Sequence, residues 1–315
     1  MNSAGVSVII PMKNVEDIIS NVIFSAVEQS YNCNAEFIFI DMGSSDKTIA
    51  ETYKYIKNLE LNARIIQAGN YTVGSALNSG IIKASGEYIT FLFPKRLYSD
   101  FIYSYYDSAV NNKADVVFGD IINKVSKVFK RNSFSLNGEE VLHELIKENR
   151  AIDIGCIMIR KDFIIKNRLF FNEDGIGGYS ENFIMKNLLY AQNIVRLIMP
   201  RRSYEFEENS SKAVVGIKCF DKVKAVNDVY ELVKIKNKSN KSLINAFRYI
   251  KLPRVILECI EELLNEQTGY GAIKGMLKVN GYDEFLTVGK TTPPGIAKKI
   301  LVWNLTPWMY KVKDK

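Results

Sequence analysis

Short β-branched runs and amphipathic stretches alternate through about the first 120 residues, and this alternation restricts the fold more than any other feature. "VSVIIP" (residues 6–11), "AEFIFID" (35–41), "ARIIQA" (63–68), "EYITFLF" (87–93) and "ADVVFGDII" (114–122) read as strands. "EDIISNVIFSAVEQS" places Ile18, Ile19, Val22, Ile23, Ala26 and Val27 at helical spacing. "GSSDKTIAETYKYIKN" opens with helix-capping residues, and "TVGSALNSGIIKAS" and "SDFIYSYYDSAV" complete the set of helices. Such alternation predicts an α/β fold with a doubly wound, mostly parallel sheet. Sheets of this kind bind ligands in the crevice at the carboxyl ends of their strands. Three loops therefore matter: residues 11–14, 41–46 and 93–96.

After Val125 the pattern changes. "LNGEEVLHELIKEN" and "ENFIMKNLLYAQNIV" read as helices, "AIDIGCIMIRKDFI" as an apolar run passing into a basic turn, and "RLIMPRRSYEFEENSS" as a strand with its exit loop. These segments read as the second half of one domain covering residues 1–212, with a mainly helical region at 213–315. Within that region, Pro253 is expected to break or kink a long amphipathic helix, "KNKSNKS" to link helices and "KTTPPG" to form a rigid break.

The 315-residue chain has a formal charge of +7, which suits anionic small molecules or an anionic membrane face. Its lysines are dispersed and no nucleic-acid-binding signature is present, so nucleic acid is excluded as the expected partner. Cys33, Cys156, Cys219 and Cys259 are far apart in apolar surroundings and are expected to be reduced, buried thiols of a cytoplasmic protein. The lone histidine, His143, is expected at the boundary of an amphipathic helix. No signal peptide and no spanning helix are expected.

Taken in order, "VSVIIPMKN", "FIFIDMGSSDKT", "GSALNSGIIKASGEYITFL" and the segment from "LNGEEVLHEL" to "RRSYEF" resemble the family-2 glycosyltransferases of the GT-A fold. The likeness is strongest to bacterial enzymes of capsular and other surface polysaccharides. It implies a GT-A-like mixed sheet with a C-terminal helical region. It further implies a nucleotide-sugar donor, a glycan or lipid-linked acceptor and inversion at the anomeric carbon. In that family an Asp-x-Asp loop holds a divalent ion on the leaving diphosphate, and a carboxylate takes the acceptor proton.

Carried over residue by residue, Pro11 and Asn14 match the loop along base and ribose. Gly43, Ser44 and Asp46 fit Asp-Gly-Ser-x-Asp, with Met42 where the base-binding Asp is expected and Asp41 one position earlier. Asp46 alternatively caps the next helix. Asn78 and Gly80 match a donor-proximal segment, with Leu77 where an Arg is frequent; packing is their alternative role. The Asp-x-Asp should fall at Phe93 and Lys95, with a further Asp often at Arg96, but the positions hold a ring and two cations. A divalent ion is repelled by about 4 kcal/mol per like-charge unit pair at about 4 Å and an effective dielectric of about 20. Hence no metal site and no Mn²⁺ or Mg²⁺ cofactor is expected. Lys95 and Arg96 are instead the candidate stabilisers of the diphosphate.

Aligning Phe183 and Lys186 puts Tyr179 and Ser180 where the family carries Glu-Asp, leaving the adjacent Glu181 as the candidate base. Glu173 and Asp174 are weaker alternatives, and Glu181 also suits the start of its helix. In the tail, Trp303, Trp308 and Tyr310 beside Lys298, Lys299, Lys311 and Lys313 suit either a membrane interface or docking onto the domain. The readings are a metal-independent glycosyltransferase in the cytoplasm or at the inner membrane face, an inactive pseudo-glycosyltransferase supporting a second, active one, or a sugar- or nucleotide-binding module.

Overall fold

In the computed structural model of the protein the alternating segments assemble into a mixed eight-stranded sheet. The structure describes residues 4–69, 71–98, 101–119, 133–174, 177–197, 203–205, 219–236 and 238–310. By contact the chain divides into two units. The first comprises Met1–Val141, Ala151–Asp174 and Phe183–Asn209, and the second Leu142–Arg150, Gly175–Asn182 and Ser210–Lys315.

The first unit carries β1 (Val6–Met12), α1 (Ile19–Ser30), β2 (Ala35–Asp41), α2 (Thr48–Asn58), β3 (Ala63–Gln67), α3 (Val73–Lys83), β4 (Tyr88–Phe91), β5 (Arg96–Tyr98), α4 (Ile102–Asn112), β6 (Val116–Gly119) and β7 (Ser133–Leu136). α5 (Gly138–Glu148) begins in it; β8 (Ile157–Arg160), α6 (Lys161–Asn167), most of α7 (Tyr179–Tyr190), β9 (Ile194–Leu197) and β10 (Ser203–Glu205) complete it. Strand order in the large sheet is β3-β2-β1-β4-β8-β6-β9-β7. β3, β2, β1 and β4 are mutually parallel, β8 runs antiparallel to both its neighbours, and β6 pairs β9 in parallel. β5 and β10 form a separate antiparallel pair.

The period of a strand decides what each face packs against. Val6, Val8, Ile10 and Met12 join Phe37 and Phe39 in a core with Ile19, Val22, Ile23 and Ala26 of α1 and Ile102, Tyr105 and Ala109 of α4. Full burial of each such Val, Ile or Phe side chain contributes about 1.5–3 kcal/mol. On the other face a Cβ at Gly80 would lie 2.6 Å from Ile9 and 2.9 Å from Ile40, so glycine there lets α3 approach the sheet. Phe91, Phe171 and Phe183 form an aromatic cluster, the last two stacked at 3.8 Å.

Three expectations change in this unit. β1 runs through Pro11 to Met12 instead of ending at the proline. Ile9 accepts from Leu92 N–H on the β4 side, so the missing N–H of Pro11 falls on that same side, beyond the last β1–β4 pair, Ile9 with Phe91. The expected strand at 87–93 ends earlier, at Phe91, and Arg96 opens β5 rather than closing a loop. Residues 120–122 of "ADVVFGDII" and 198–202 and 206–211 of "RLIMPRRSYEFEENSS" lie outside the described residues.

In the second unit, α8 (Cys219–Lys236), α9 (Lys241–Ala246), α10 (Leu252–Asn265), α11 (Tyr270–Val279) and α12 (Pro294–Leu305) dominate. Asn240, in the predicted linker, caps α9 by accepting from Leu243 N–H at 3.0 Å. Pro253 does not break the long helix. A π-helical turn, Phe247–Lys251, precedes it and joins α9 to α10 without leaving helical geometry. The wider turn absorbs the proline's lost donor and ring clash. A further correction concerns the cysteines: Cys219 and Cys259, 40 residues apart, form a disulfide between α8 and α10, with Cα atoms 5.4 Å apart. Cys33 and Cys156 are buried free thiols, and burial pushes the Cys33 thiol up to about 12. His143 contacts the Ser242 hydroxyl at 2.9 Å; burial, then Lys147, lowers its pKa.

Candidate active site at the carboxyl edge of the sheet

Met12 lies in register with Asp41, so the loops leaving β1 and β2 emerge side by side. Their backbones are knitted together by each other's side chains. Asn14, at φ +50°, accepts from Ser45 N–H at 2.8 Å, while its own N–H donates to Ser44 Oγ at 3.0 Å. Val15 N–H donates to Thr48 Oγ1 at 2.8 Å, and Glu16 takes Lys47 N–H at 2.6 Å. Asp46 accepts from Thr48 N–H at 3.0 Å and Glu16 N–H at 3.2 Å. Burial alone would raise its pKa, but the Thr48 and Glu16 bonds bring it below the ordinary value. Asp46 thus serves both the helix start and the neighbouring loop.

Asp41 is buried at the end of β2, with its carboxylate accepting from Gly43 N–H at 3.1 Å and Ser44 N–H at 3.2 Å. This carboxylate shapes its own turn. Gly43 sits at φ +81°, and a Cβ there would come 3.1 Å from the Gly69 carbonyl. Both the left-handed backbone and the close approach call for glycine. An open groove of about 560 Å³ borders this corner, lined by Asp46, Ile49, Ala50, Tyr53, Ile65 and Gln67.

β4 ends beside Ile9, so the turn at residues 93–95 follows at the same edge as Pro11 and Asp41. It carries a half-buried Phe93, a buried Pro94 and an exposed Lys95. The Arg96 side chain lies outside the described residues. Phenyl, pyrrolidine and ammonium groups supply no ligand for a divalent ion, so the residues of this turn do not fit one. Among the described residues no group of three or more His, Cys, Asp or Glu side chains is placed to hold a metal ion.

Asn78 is farther along the chain, on α3, and its amide is engaged on both sides. It donates to the Phe171 carbonyl at 3.0 Å and to Glu173 at 2.8 Å, and accepts from Phe171 N–H at 2.8 Å. Thr72, capping α3, also reaches the Glu173 carbonyl at 3.1 Å. These bonds clamp α3 to the segment after α6 and occupy Glu173. Glu181 lies in the first turn of α7 and belongs to the second unit, where it pairs with Lys251. Beside that pair, burial raises the Glu258 pKa above the ordinary carboxylate range, with Lys251 opposing and Glu181 adding to the rise. Pro11, Asn14, Asp41, Gly43 and Ser44 are thus gathered at one corner, with the turn of Lys95 on the same edge. Sequence reasoning missed the interlocking partners Glu16 and Thr48 and the Lys251 partner. For Thr48 the signal was present, since Asp46-x-Thr48 is a helix-start pattern.

Residues 7–169, about half of the chain, match the sequence model described as "Glycosyl transferase family 2". The chain belongs to this family. A Haemophilus influenzae protein described as an uncharacterized glycosyltransferase is 38% identical over 92 residues, 29% of this chain and 36% of its own length. The poly(ribitol-phosphate) beta-glucosyltransferase of Bacillus spizizenii is 25% identical over 195 residues, 60% of this chain and 30% of its own length. The chain therefore spans about a third of the length of these two relatives. Among solved structures, S. aureus TarS 1–349 in complex with UDP-GlcNAc superposes with a TM-score of 0.62 at 16% identity, covering 95% of this chain and 87% of that one. That likeness carries the fold, a GT-A-type arrangement with a helical C-terminal region.

Proposed function

We infer that this family-2 protein transfers a sugar, with inversion, from a nucleotide sugar to a polysaccharide or lipid-linked acceptor, at the inner face of a membrane and without a divalent ion. The observation that carries this reading is the carboxyl-edge corner. The β1 and β2 loops are fixed by Asn14, Asp41, Gly43 and Ser44, and the turn after β4, on the same edge, carries Lys95 at the position where the family resemblance implies a metal loop. The reaction requires positive charge on the leaving diphosphate, and a lysine ammonium at this turn supplies it. The donor fits the TarS complex with UDP-GlcNAc, and a phosphate-rich acceptor fits the Bacillus relative's name. Glu181 takes the acceptor proton in this scheme once its pairing with Lys251 is exchanged for the acceptor hydroxyl.

The engagement of Glu181 by Lys251 also favours a second reading, a non-catalytic partner of an active glycosyltransferase. A missing base or charge stabiliser costs about 10²- to 10³-fold in rate. The test is release of nucleoside diphosphate from a panel of UDP- and GDP-sugars, with membrane extract as acceptor, in EDTA and in Mn²⁺. Turnover in EDTA that falls at least about 10²-fold in Glu181→Gln supports the enzyme. Donor binding without turnover, with co-purification of a second glycosyltransferase carrying Asp-x-Asp, supports the partner.

A further inference from the structure

Helix α12 is apolar on two opposite sides. Ile296, Ile300 and Trp303 face inward and are buried. Tyr310 closes edge-on against Trp303 at 5.8 Å and donates its hydroxyl to Glu261 at 2.9 Å. Around the other side Lys298, Leu301 and Leu305 recur at i, i+3 and i+7, the spacing of one helical face. The 3₁₀ turn Pro307–Met309 follows the helix. Leu301, Leu305, Trp308 and Met309 are 51, 71, 69 and 63% exposed. Single exposed apolar residues are ordinary, but four along one helix face and its following turn form a patch that water does not favour.

The charge around the patch selects its partner. In sequence, residues 290–315 hold six lysines against one aspartate; Lys298 shares the face of Leu301 and Leu305 and Lys299 pairs with Glu261, so this segment favours a covering surface that is anionic as well as apolar. An anionic phospholipid bilayer combines both properties, and Trp with flanking Lys belongs to its interface. A second copy of this chain would bring the same positive charge and repel. No helix among the described residues is long and apolar enough to cross a membrane. At 12 residues, about 18 Å, α12 suits lying in the interface plane.

We propose that the outer face of α12 and the turn 307–309 dock onto an anionic lipid surface, with Leu301, Leu305, Trp308 and Met309 entering the interface and lysines meeting lipid phosphates. The proposal rests on the membrane-face placement inferred above and not on the donor chemistry. The full chain is sedimented with phosphatidylcholine vesicles with and without phosphatidylglycerol. Binding is expected to phosphatidylglycerol vesicles, weakened by salt and at least about tenfold lower in Leu305→Glu/Trp308→Glu. The chain has two tryptophans, so Trp308→Phe leaves only the buried Trp303. The vesicle-induced blue shift of the wild type should vanish in that variant. Failure to bind anionic vesicles, equal binding by the double variant, or self-association through this face in place of vesicle binding overturns the proposal. Calorimetry with UDP-sugars on the double variant separates the two claims. Donor binding retained while the wild type ignores vesicles sinks the docking alone.

Discussion

Asp41 and Glu36 are buried carboxylates at the two ends of β2, and they do different work. Asp41 organises the turn at the candidate site, whereas Glu36 ties the opposite ends of β1, β2 and β4 together. Glu36 accepts from Ser7 Oγ at 2.5 Å, from Ser85 N–H and from Gly86 N–H at 3.3 Å, and pairs with Arg64 at 2.8 Å. Burial by itself would raise its pKa; the Ser7 and Ser85 bonds and the Arg64 charge bring it below the ordinary value. Its stabilisation is therefore complete above the unfolded glutamate pKa of about 4.3 and is lost as pH falls through the lower folded value. Glu36→Gln is expected to cost about 1.5–3 kcal/mol in urea denaturation at pH 7, with the gap to wild type shrinking as the pH drops below about 4. A gap independent of pH would remove the charge from this account. At the other end, Gly43→Ala should cost about 1–2 kcal/mol by the same measurement, because alanine must hold φ +81°.

Among the elements, α3 and the α8–α10 pair carry the sharpest expectations. Gly80→Ala forces a methyl against Ile9 Cγ2, a stiff β-branched group, and is expected to lower stability by about 1–3 kcal/mol. Thermal unfolding checks it, and an unchanged Tm would mean α3 can withdraw freely. Non-reducing peptide mapping should recover a Cys219–Cys259 linked peptide and leave Cys33 and Cys156 as thiols. Reduction should then cost about 2–4 kcal/mol, as expected for a loop of 40 residues. The strands of the parallel half were legible because β-branched runs alternate with helices. The continuation of β1 past Pro11 to Met12 was not, because only the position of the end of β4 shows that the proline's missing N–H has nothing to bond. The π turn before Pro253 was equally hidden, since the sequence shows that a proline must be accommodated but not how. The disulfide between α8 and α10 depends on tertiary packing that spacing does not encode.

At the scale of the whole molecule, the family and the fold came through in motif order, while the side-chain partners of individual residues did not. The structure gathers Asn14, Gly43 and Ser44 at the adjoining ends of β1 and β2. Asn78 and Glu181 matched family segments, yet their side chains are engaged by Glu173 and Lys251, partners 95 and 70 residues away that no local pattern reveals. Positive charge is the common thread, at the turn after β4 and along the lysine-flanked face of α12. The central claim, that a lysine cation does the work of a metal on the diphosphate, is tested most directly by calorimetric titration of UDP- and GDP-sugars in EDTA. The account predicts that one donor binds in EDTA as well as in Mn²⁺, and that Lys95→Ala weakens it at least about tenfold, as loss of a charge-assisted contact should. Binding that appears only with Mn²⁺, or that Lys95→Ala leaves unchanged, would contradict it.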